Sequence, residues 1–280
     1  MSKIIDGNKI AEGIREDLKK RVEKLKKRGI ESTLAIVLVG DRPDCKIYAK
    51  SKQKACEEIG IKSNLHTFPE DIKQEKLINA IEDLNDDDSV HGIIVEMPLP
   101  KNLNEKLILR AISPMKDVDG LNPITIGNIS IGNEFLAPAT PKGIINILEN
   151  MKIPIEGKEV VIVNNSNVVG KPLALMLTNR FATVTICHVK TKDLKAHTTK
   201  ADILITAVGL PKLIKKDMVK KDAMVIDAGI KRMNDKVVGD VDFEHVKDVA
   251  SYITPVPGGV GPMTVTMILE NTLIAAENQI

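Results

Sequence analysis

Short, wholly apolar runs alternate along this chain with stretches of helical periodicity, and no other feature limits the fold as much. Leu34–Val39, Gly92–Val95, Val160–Val163, Ile203–Val208 and Met224–Asp227 are each of strand length and nearly free of polar residues. A strand apolar on both sides needs cover on both faces, which is the situation of a parallel sheet flanked by helices. Helical stretches fall between the runs. Ile10, Ile14, Leu18, Val22 and Leu25 share one face of a first helix closed by Gly29, and a second helix spans Asp44–Ile59 with Gly60 as its stop. Further helices are expected at Gln74–Leu84, Glu105–Ile112 and from Pro172, with a short strand near Leu65–Thr67. The class is therefore α/β with a mainly parallel sheet.

The 280 residues suffice for two such domains. Lys116–Pro138 is rich in Gly, Asn and Pro and reads as a long connection. Thr140-Pro141 follows as a helix start, with Thr as N-cap and Pro at the first helical position, running to about Met151. A second α/β series begins at Val160. The final helix, Met263–Ala276, carries Val265, Ile268, Leu269, Thr272 and Leu273 on one face. That face must be buried, and its natural partner is the first domain. The expected division is 1–138 plus 262–280 for one domain and 139–261 for the other.

Composition removes several functions. Net charge is +2, aromatic residues are 2% of the chain and Trp is absent, so a stacking platform for nucleic acid is not expected. No apolar run approaches the roughly 18–20 residues that cross a bilayer, and the first residues reach charge too early for a signal-peptide core. Cys45, Cys56 and Cys187 are odd in number and unpaired in spacing, which fits reduced thiols in the cytoplasm. The five histidines lack ligand spacing, so no metal is assigned.

Three places go beyond the fold. At about 100° per residue, Tyr48, Lys52, Ala55 and Ile59 fall on the expected buried stripe of the second helix, opposite Lys46, Lys50 and Lys54. A lysine there snorkels, pairs, or sits in a cleft at the carboxyl edge of the sheet, where ligands bind. Glu96 directly follows an apolar strand and precedes Met97-Pro98-Leu99-Pro100, so it reaches the same edge as a solvated loop residue or as a partner of Lys52. Lys116-Asp117-Val118-Asp119-Gly120 adds carboxylates with a turn or a site role. The third place is Asn164-Asn165-Ser166-Asn167-Val168-Val169-Gly170, a polar loop between a strand and a helix. Its N–H groups can hold a pyrophosphate, although it lacks the GxGxxG pattern. After the next strand, Cys187-His188-Val189-Lys190 offers neither the acid that suits NAD nor the arginine that suits NADP.

Taken together, these motifs resemble the bifunctional methylenetetrahydrofolate dehydrogenase/cyclohydrolase family over nearly the whole chain. The resemblance rests on Val39-Gly40-Asp41-Arg42-Pro43, Tyr48-(x)3-Lys52-(x)3-Cys56, His91–Val95, Met97–Pro100, Lys116–Gly120, Gly239–Phe243 and, most specific of all, Pro255-Val256-Pro257-Gly258-Gly259-Val260-Gly261-Pro262-Met263-Thr264. It implies a folate-binding domain, a Rossmann-type NADP domain (NAD being the second option), and a homodimer. It implies oxidation of 5,10-methylenetetrahydrofolate to the methenyl compound, followed by hydrolysis to 10-formyltetrahydrofolate. Lys52 would handle protons, Tyr48 would shape the site and stack on folate, and Asp119 would hold the pterin. Val95, Glu96, Met97 and the backbone of Pro257, Gly258, Gly259, Val260 and Gly261 would line the substrate. Asn164, Asn165, Ser166, Lys190 and Ile230 would line the cofactor.

Several positions depart from the family pattern. Glu96 stands where the family has Gln, Cys45 where it has Ser, and Ala139 where cysteine is common. Asn164-Asn165-Ser166 replaces Gly-Arg-Ser, and Val189 replaces a polar residue. Asn165 and Val189 loosen the expected grip on a 2′-phosphate, and Glu96 acts against the hydrolytic half. Two other readings stay open on the residues alone. One is a dehydrogenase of a hydroxy or amino acid, which would need an arginine clamp. The other is a folate- or nucleotide-sensing module, which would not need the Tyr48/Lys52 pair.

Overall fold

The computed structural model describes residues 2–233 and 236–279. The chain runs β1 (Lys3–Ile4), α1 (Gly7–Lys27), β2 (Thr33–Val39), α2 (Pro43–Ile59), β3 (Lys62–Phe68), α3 (Gln74–Asp86), β4 (Gly92–Val95), α4 (Glu105–Ala111), α5 (Pro123–Ser130) and α6 (Ala139–Asn150). It continues through β5 (Glu159–Val163), α7 (Gly170–Thr178), β6 (Thr183–Cys187), α8 (Leu194–Thr198), β7 (Ile203–Thr206), β8 (Met224–Asp227), β9 (Lys231–Met233), β10 (Lys236–Val238), α9 (Phe243–Val246), β11 (Tyr252–Ile253) and α10 (Val260–Asn278). Two compact units result: the residues up to Glu12 with Thr140–Thr264, and Gly13–Ala139 with the chain from Val265 onward.

In the unit built on Gly13–Ala139, β2 is the centre of a parallel sheet ordered β3-β2-β4. All seven β2 residues are buried, so the apolar run is explained by cover on both faces. Ala35, Val37 and Val39 pack with Ile93 and Val95 against Leu77 and Ile81 of α3 and Ile108 of α4. Each large apolar side chain buried in this way contributes about 1.5–3 kcal/mol. Helix α2 has Pro43 in its first turn and ends at Gly60 in the left-handed region. There Ile61 N–H donates to the Cys56 carbonyl at 2.9 Å, the closure a C-terminal glycine permits. Asn271 of α10 is fully buried and donates to the carbonyls of Val118 and Ala137, both at 2.8 Å. Arg21 holds Glu277 through two bonds of 3.1 and 2.7 Å, tying α1 to α10.

The other unit carries an all-parallel sheet ordered β1-β11-β8-β7-β5-β6, with an antiparallel pair β9-β10 beside it. Strand β5 lies between β6 and β7, so chain order reverses there, and such switch points are where open α/β sheets bind ligands. Among the described residues, no helix is long and apolar enough to cross a membrane.

Three expectations change. The described residues up to Glu12 belong with Thr140–Thr264 rather than with the first domain. Lys3 pairs with Tyr252 and Ile4 with Ile253, a strand too short to show periodicity. The connection Lys116–Pro138 contains helix α5, because Asn122 Oδ1 caps it by accepting from Ile124 N–H at 2.8 Å and Pro123 starts it. Helix α6 begins at Ala139, so Thr140 lies inside it instead of capping it, and its hydroxyl bonds that of Thr264 at 3.0 Å.

Candidate active site

Helix α2 and the end of β4 bring one lysine and one carboxylate together. Glu96 N–H donates to the Val37 carbonyl at 2.9 Å, so sheet pairing continues one residue beyond β4 and fixes the Glu96 backbone. Lys52 Nζ donates to both of its oxygens, at 2.7 and 2.9 Å. Lys52 is 8% exposed and Glu96 5% exposed. Two charges so deeply withdrawn from water are tolerated because each neutralises the other. The Lys52 ammonium also stands 5.9 Å from the centre of the Tyr48 ring, within cation–π range.

Tyr48 corrects the expected stripe. It is 47% exposed, while the buried side of α2 is Cys45, Ala49, Lys52, Ala55, Cys56 and Ile59. Those positions recur at intervals of three and four residues, and Tyr48 sits off to one side of them. Its ring covers Lys52 and presents its other surface outward. Val95 differs as well: it is 2% exposed within the apolar core, so its side chain supports Glu96 from behind. Met97 is partly buried against that core, and its carbonyl accepts from the Cys45 thiol at 3.5 Å.

The acidic segment divides into a turn-former, Asp117, and an acid that interacts with Lys52 and Glu96, Asp119. Asp117 accepts from the N–H groups of Gly120, Leu121 and Asn122 and from the Thr125 hydroxyl, at 2.8 to 3.2 Å. It is the staple of the turn that carries Asp119. Burial pushes the Asp119 carboxyl up to about 7; the Lys52 charge works against this, and Asp117 and Glu96 add to it. Three titratable groups, Lys52, Glu96 and Asp119, thus interact at one place.

The polar loop Asn164–Gly170 is built at the carboxyl ends of β5 and β7. Asn164 Oδ1 accepts from Ser166 N–H at 2.8 Å and Gly170 N–H at 3.0 Å, and its amide donates to the Ala207 carbonyl after β7. Ser166 Oγ accepts from Val169 N–H at 3.0 Å. Gly170 is required, since a Cβ there would lie 2.0 Å from the Asn164 carbonyl oxygen. Among the described residues, the N–H groups of Asn165, Asn167 and Val168 have no protein acceptor. They lie just before the amino end of α7, so the donor set fits a pyrophosphate. Lys190 is exposed after β6, beside Val189 at 88% exposure, and Ile230 after β8 is 47% exposed.

Behind this edge lies a device that sequence reasoning did not single out. Asp240 accepts from the Thr206 hydroxyl and Val208 N–H through one oxygen and from Leu210 N–H through the other, at 2.6 to 2.8 Å. Asp227 accepts from Gly229, Asp240 and Val241 N–H at 2.9 to 3.1 Å. Burial is the main reason its carboxyl is raised to about 6, with Asp240 adding to it. These buried acids shape the loops after β7 and β8. The Gly-Asp-Val-Asp motif was the available signal, but nothing in it tells a structural acid from a reactive one.

The loop Pro257–Gly261 belongs to the unit of Thr140–Thr264, whereas Tyr48, Lys52, Glu96 and Asp119 belong to the other. Gly258 has φ 98° and its carbonyl accepts from Gly7 N–H at 2.9 Å, a backbone conformation that side chains rarely adopt.

Known proteins match the chain along its whole length. Residues 5–119 match the catalytic domain of tetrahydrofolate dehydrogenase/cyclohydrolase, and residues 138–280 match the NAD(P)-binding domain of the same family. The bifunctional protein FolD of Exiguobacterium sibiricum is 50% identical over 277 residues, covering 99% of this chain and 100% of that one. The crystal structure of the bifunctional dehydrogenase/cyclohydrolase of Campylobacter jejuni superposes with a TM-score of 0.99 at 50% identity, with both chains fully covered. The Trypanosoma brucei enzyme, crystallised with NADP and an inhibitor, gives 0.95 at 34% identity, covering 99% of this chain and 97% of its own. The chain belongs to the tetrahydrofolate dehydrogenase/cyclohydrolase family.

Proposed function

We propose that this protein oxidises 5,10-methylenetetrahydrofolate to 5,10-methenyltetrahydrofolate with NADP+, and hydrolyses the product to 10-formyltetrahydrofolate at the same Lys52–Glu96 site. The observation that carries the proposal is the buried ion pair, covered by the Tyr48 ring and coupled to Asp119. Bound NADP+ supplies the hydride acceptor. When hydride leaves the methylene carbon, the folate becomes a cation and no proton is released. The protein must then stabilise positive charge, and Glu96 is a fixed, desolvated carboxylate suited to that. Tyr48 offers its exposed ring face for stacking, and Asp119 holds the pterin. Met97 and the Val95–Glu96 backbone line the same site.

Hydrolysis makes the opposite demand. Water adds to the methenyl carbon and its proton must go to a base. Lys52 is the candidate, yet its ammonium is held by both oxygens of Glu96, so its lone pair is not free. Hydrolysis is therefore the weaker half of the cycle. The N–H groups of Asn165, Asn167 and Val168 hold the cofactor pyrophosphate in the loop that Asn164 and Ser166 shape, Ile230 packs beside the nicotinamide end, and Lys190 meets the 2′-phosphate as a mobile point charge.

We also place the enzyme in the cytoplasm as a homodimer. Its three cysteines are buried and free, which suits a reducing compartment. The edge strand β6 leaves Ile186 36% exposed and nearby Phe181 77% exposed, a surface that a second copy can cover. The enzymatic proposal is tested by supplying methylenetetrahydrofolate with NADP+ or NAD+ and following reduced cofactor, then supplying the methenyl compound alone. Cofactor reduction dependent on folate supports it, and none with either cofactor overturns it.

A further inference from the structure

At the amino edge of the β3-β2-β4 sheet, away from Lys52 and Glu96, lies a cavity of about 820 Å³ lined in part by Thr33 and Lys62, which open β2 and β3, and by His91 just before β4. That size is within the range of small-molecule sites. His91, just before β4, is 8% exposed and Lys116 is 7% exposed. The Nδ1 of His91 accepts from Thr33 N–H at 3.3 Å, and the ring also bonds the Ser89 backbone, so His91 is a fixed part of the cavity wall. Lys116 Nζ donates to the carbonyls of Leu84 and Asp87 at 3.2 and 2.8 Å, leaving its third N–H. Burial above all, and then the Lys116 charge, hold the His91 imidazole below its ordinary range, against the Ser89 hydrogen bond and the Asp87 charge. Arg28 and Lys62 stand on the same wall. Arg28 has no ion pair among the described residues, while Lys62 is only loosely matched by Glu31 at 3.4 Å.

We propose that this cavity is a second ligand site, which takes a small organic oxyanion, either a carboxylate or a phosphate ester. The oxyanion accepts from the third N–H of Lys116 at the buried floor and from Arg28 and Lys62 at the rim, and the body of the ligand lies against His91 and Met115. The acids on the wall, Glu31 and Asp88, are outnumbered by Arg28, Lys62 and Lys116. Five residue steps of extended chain separate His91 from Glu96, about 16 Å at strand spacing, so a ligand here does not compete with folate at Lys52.

The test uses the whole protein saturated with NADP, which keeps phosphate out of the cofactor site. The ring nitrogens of the five histidines are followed by NMR while inorganic phosphate or malonate is titrated in separate arms. His91 is assigned from the loss of its signals in His91→Gln. The expected result is a saturable shift of the His91 ring resonances in at least one arm, since the ring lines the cavity, with affinity weakened about tenfold or more in Arg28→Ala, as losing a charge-assisted contact gives. The arm that responds identifies the oxyanion. No His91 shift in either arm, or a shift unaltered in Arg28→Ala, overturns the proposal.

Discussion

Lys52 Nζ lies 2.7 and 2.9 Å from the two carboxylate oxygens of Glu96, and the side chains of this pair are only 10% and 5% exposed. Each residue therefore sets the electrostatic surroundings of the other, and neither can be replaced without stranding its partner. Lys52→Met should lower both activities by at least about 100-fold, the usual loss for a positioned proton-handling group. It should also reduce stability by about 3–5 kcal/mol, because Glu96 is left as an unpaired buried charge. The double variant Lys52→Met/Glu96→Gln should regain most of that stability and none of the activity. Urea denaturation with parallel assays checks this, and near-normal turnover in Lys52→Met would contradict it.

Asp119 makes stability depend on pH. In the unfolded chain its carboxyl ionises near the ordinary value of about 3.9, and in the folded protein near about 7. Between those values the folded chain keeps a proton that the unfolded chain has lost, so stability falls as pH rises through that window. Asp119→Asn removes the effect. Relative to wild type, the variant should gain stability steadily from about pH 4 to about pH 8. Urea midpoints measured across that range test this, and parallel profiles for the two proteins would refute it.

The cofactor preference should be unusually shallow. Asn165 offers no guanidinium and Val189 no hydrogen bond, which leaves Lys190 as the cation nearest the end of β6. We expect use of NADP with kcat/KM only modestly above that for NAD. Lys190→Ala should lower the NADP value about fivefold to tenfold, the order of one solvated phosphate contact, and leave the NAD value unchanged. A strong NADP preference that survives Lys190→Ala would mean that another group reads the phosphate.

Asp240 is a positioning residue for the same site. It accepts three hydrogen bonds from Thr206, Val208 and Leu210, and removing the acceptor strands donors at about 1–3 kcal/mol for each that stays buried. Asp240→Ala should raise the KM for NADP more than that for folate, and Asp240→Asn should recover part of the loss. Equal changes in both KM values would indicate general destabilisation instead.

The sequence showed the parts of this molecule that follow from periodicity. β2, β4, β5, β7 and β8 are apolar runs because both faces of their sheets are covered, and α2 ends where Gly60 permits a left-handed residue. Strand β1 was not legible, since two residues carry no period and only pairing with β11 defines them. Tyr48 was misplaced for a related reason: a helical wheel treats a tyrosine as core, whereas this ring caps a charge at the surface. Lys52 and Glu96 could be placed on one sheet edge, but their two-point contact depends on the backbone bond from Glu96 to Val37. The Asp227/Asp240 scaffold was invisible because its hydrogen bonds run to backbone groups from three different loops.

The most direct test of the account is the rate of methenyltetrahydrofolate hydrolysis near neutral pH in wild type and in Glu96→Gln, after subtraction of the spontaneous reaction. If Glu96 holds Lys52 as an ammonium donor, the neutral amide frees the lysine. Glu96→Gln should then hydrolyse faster than wild type while its dehydrogenase slows, having lost the carboxylate that faces the forming cation. Vigorous hydrolysis in wild type that falls in Glu96→Gln would contradict this and make Glu96 itself the base.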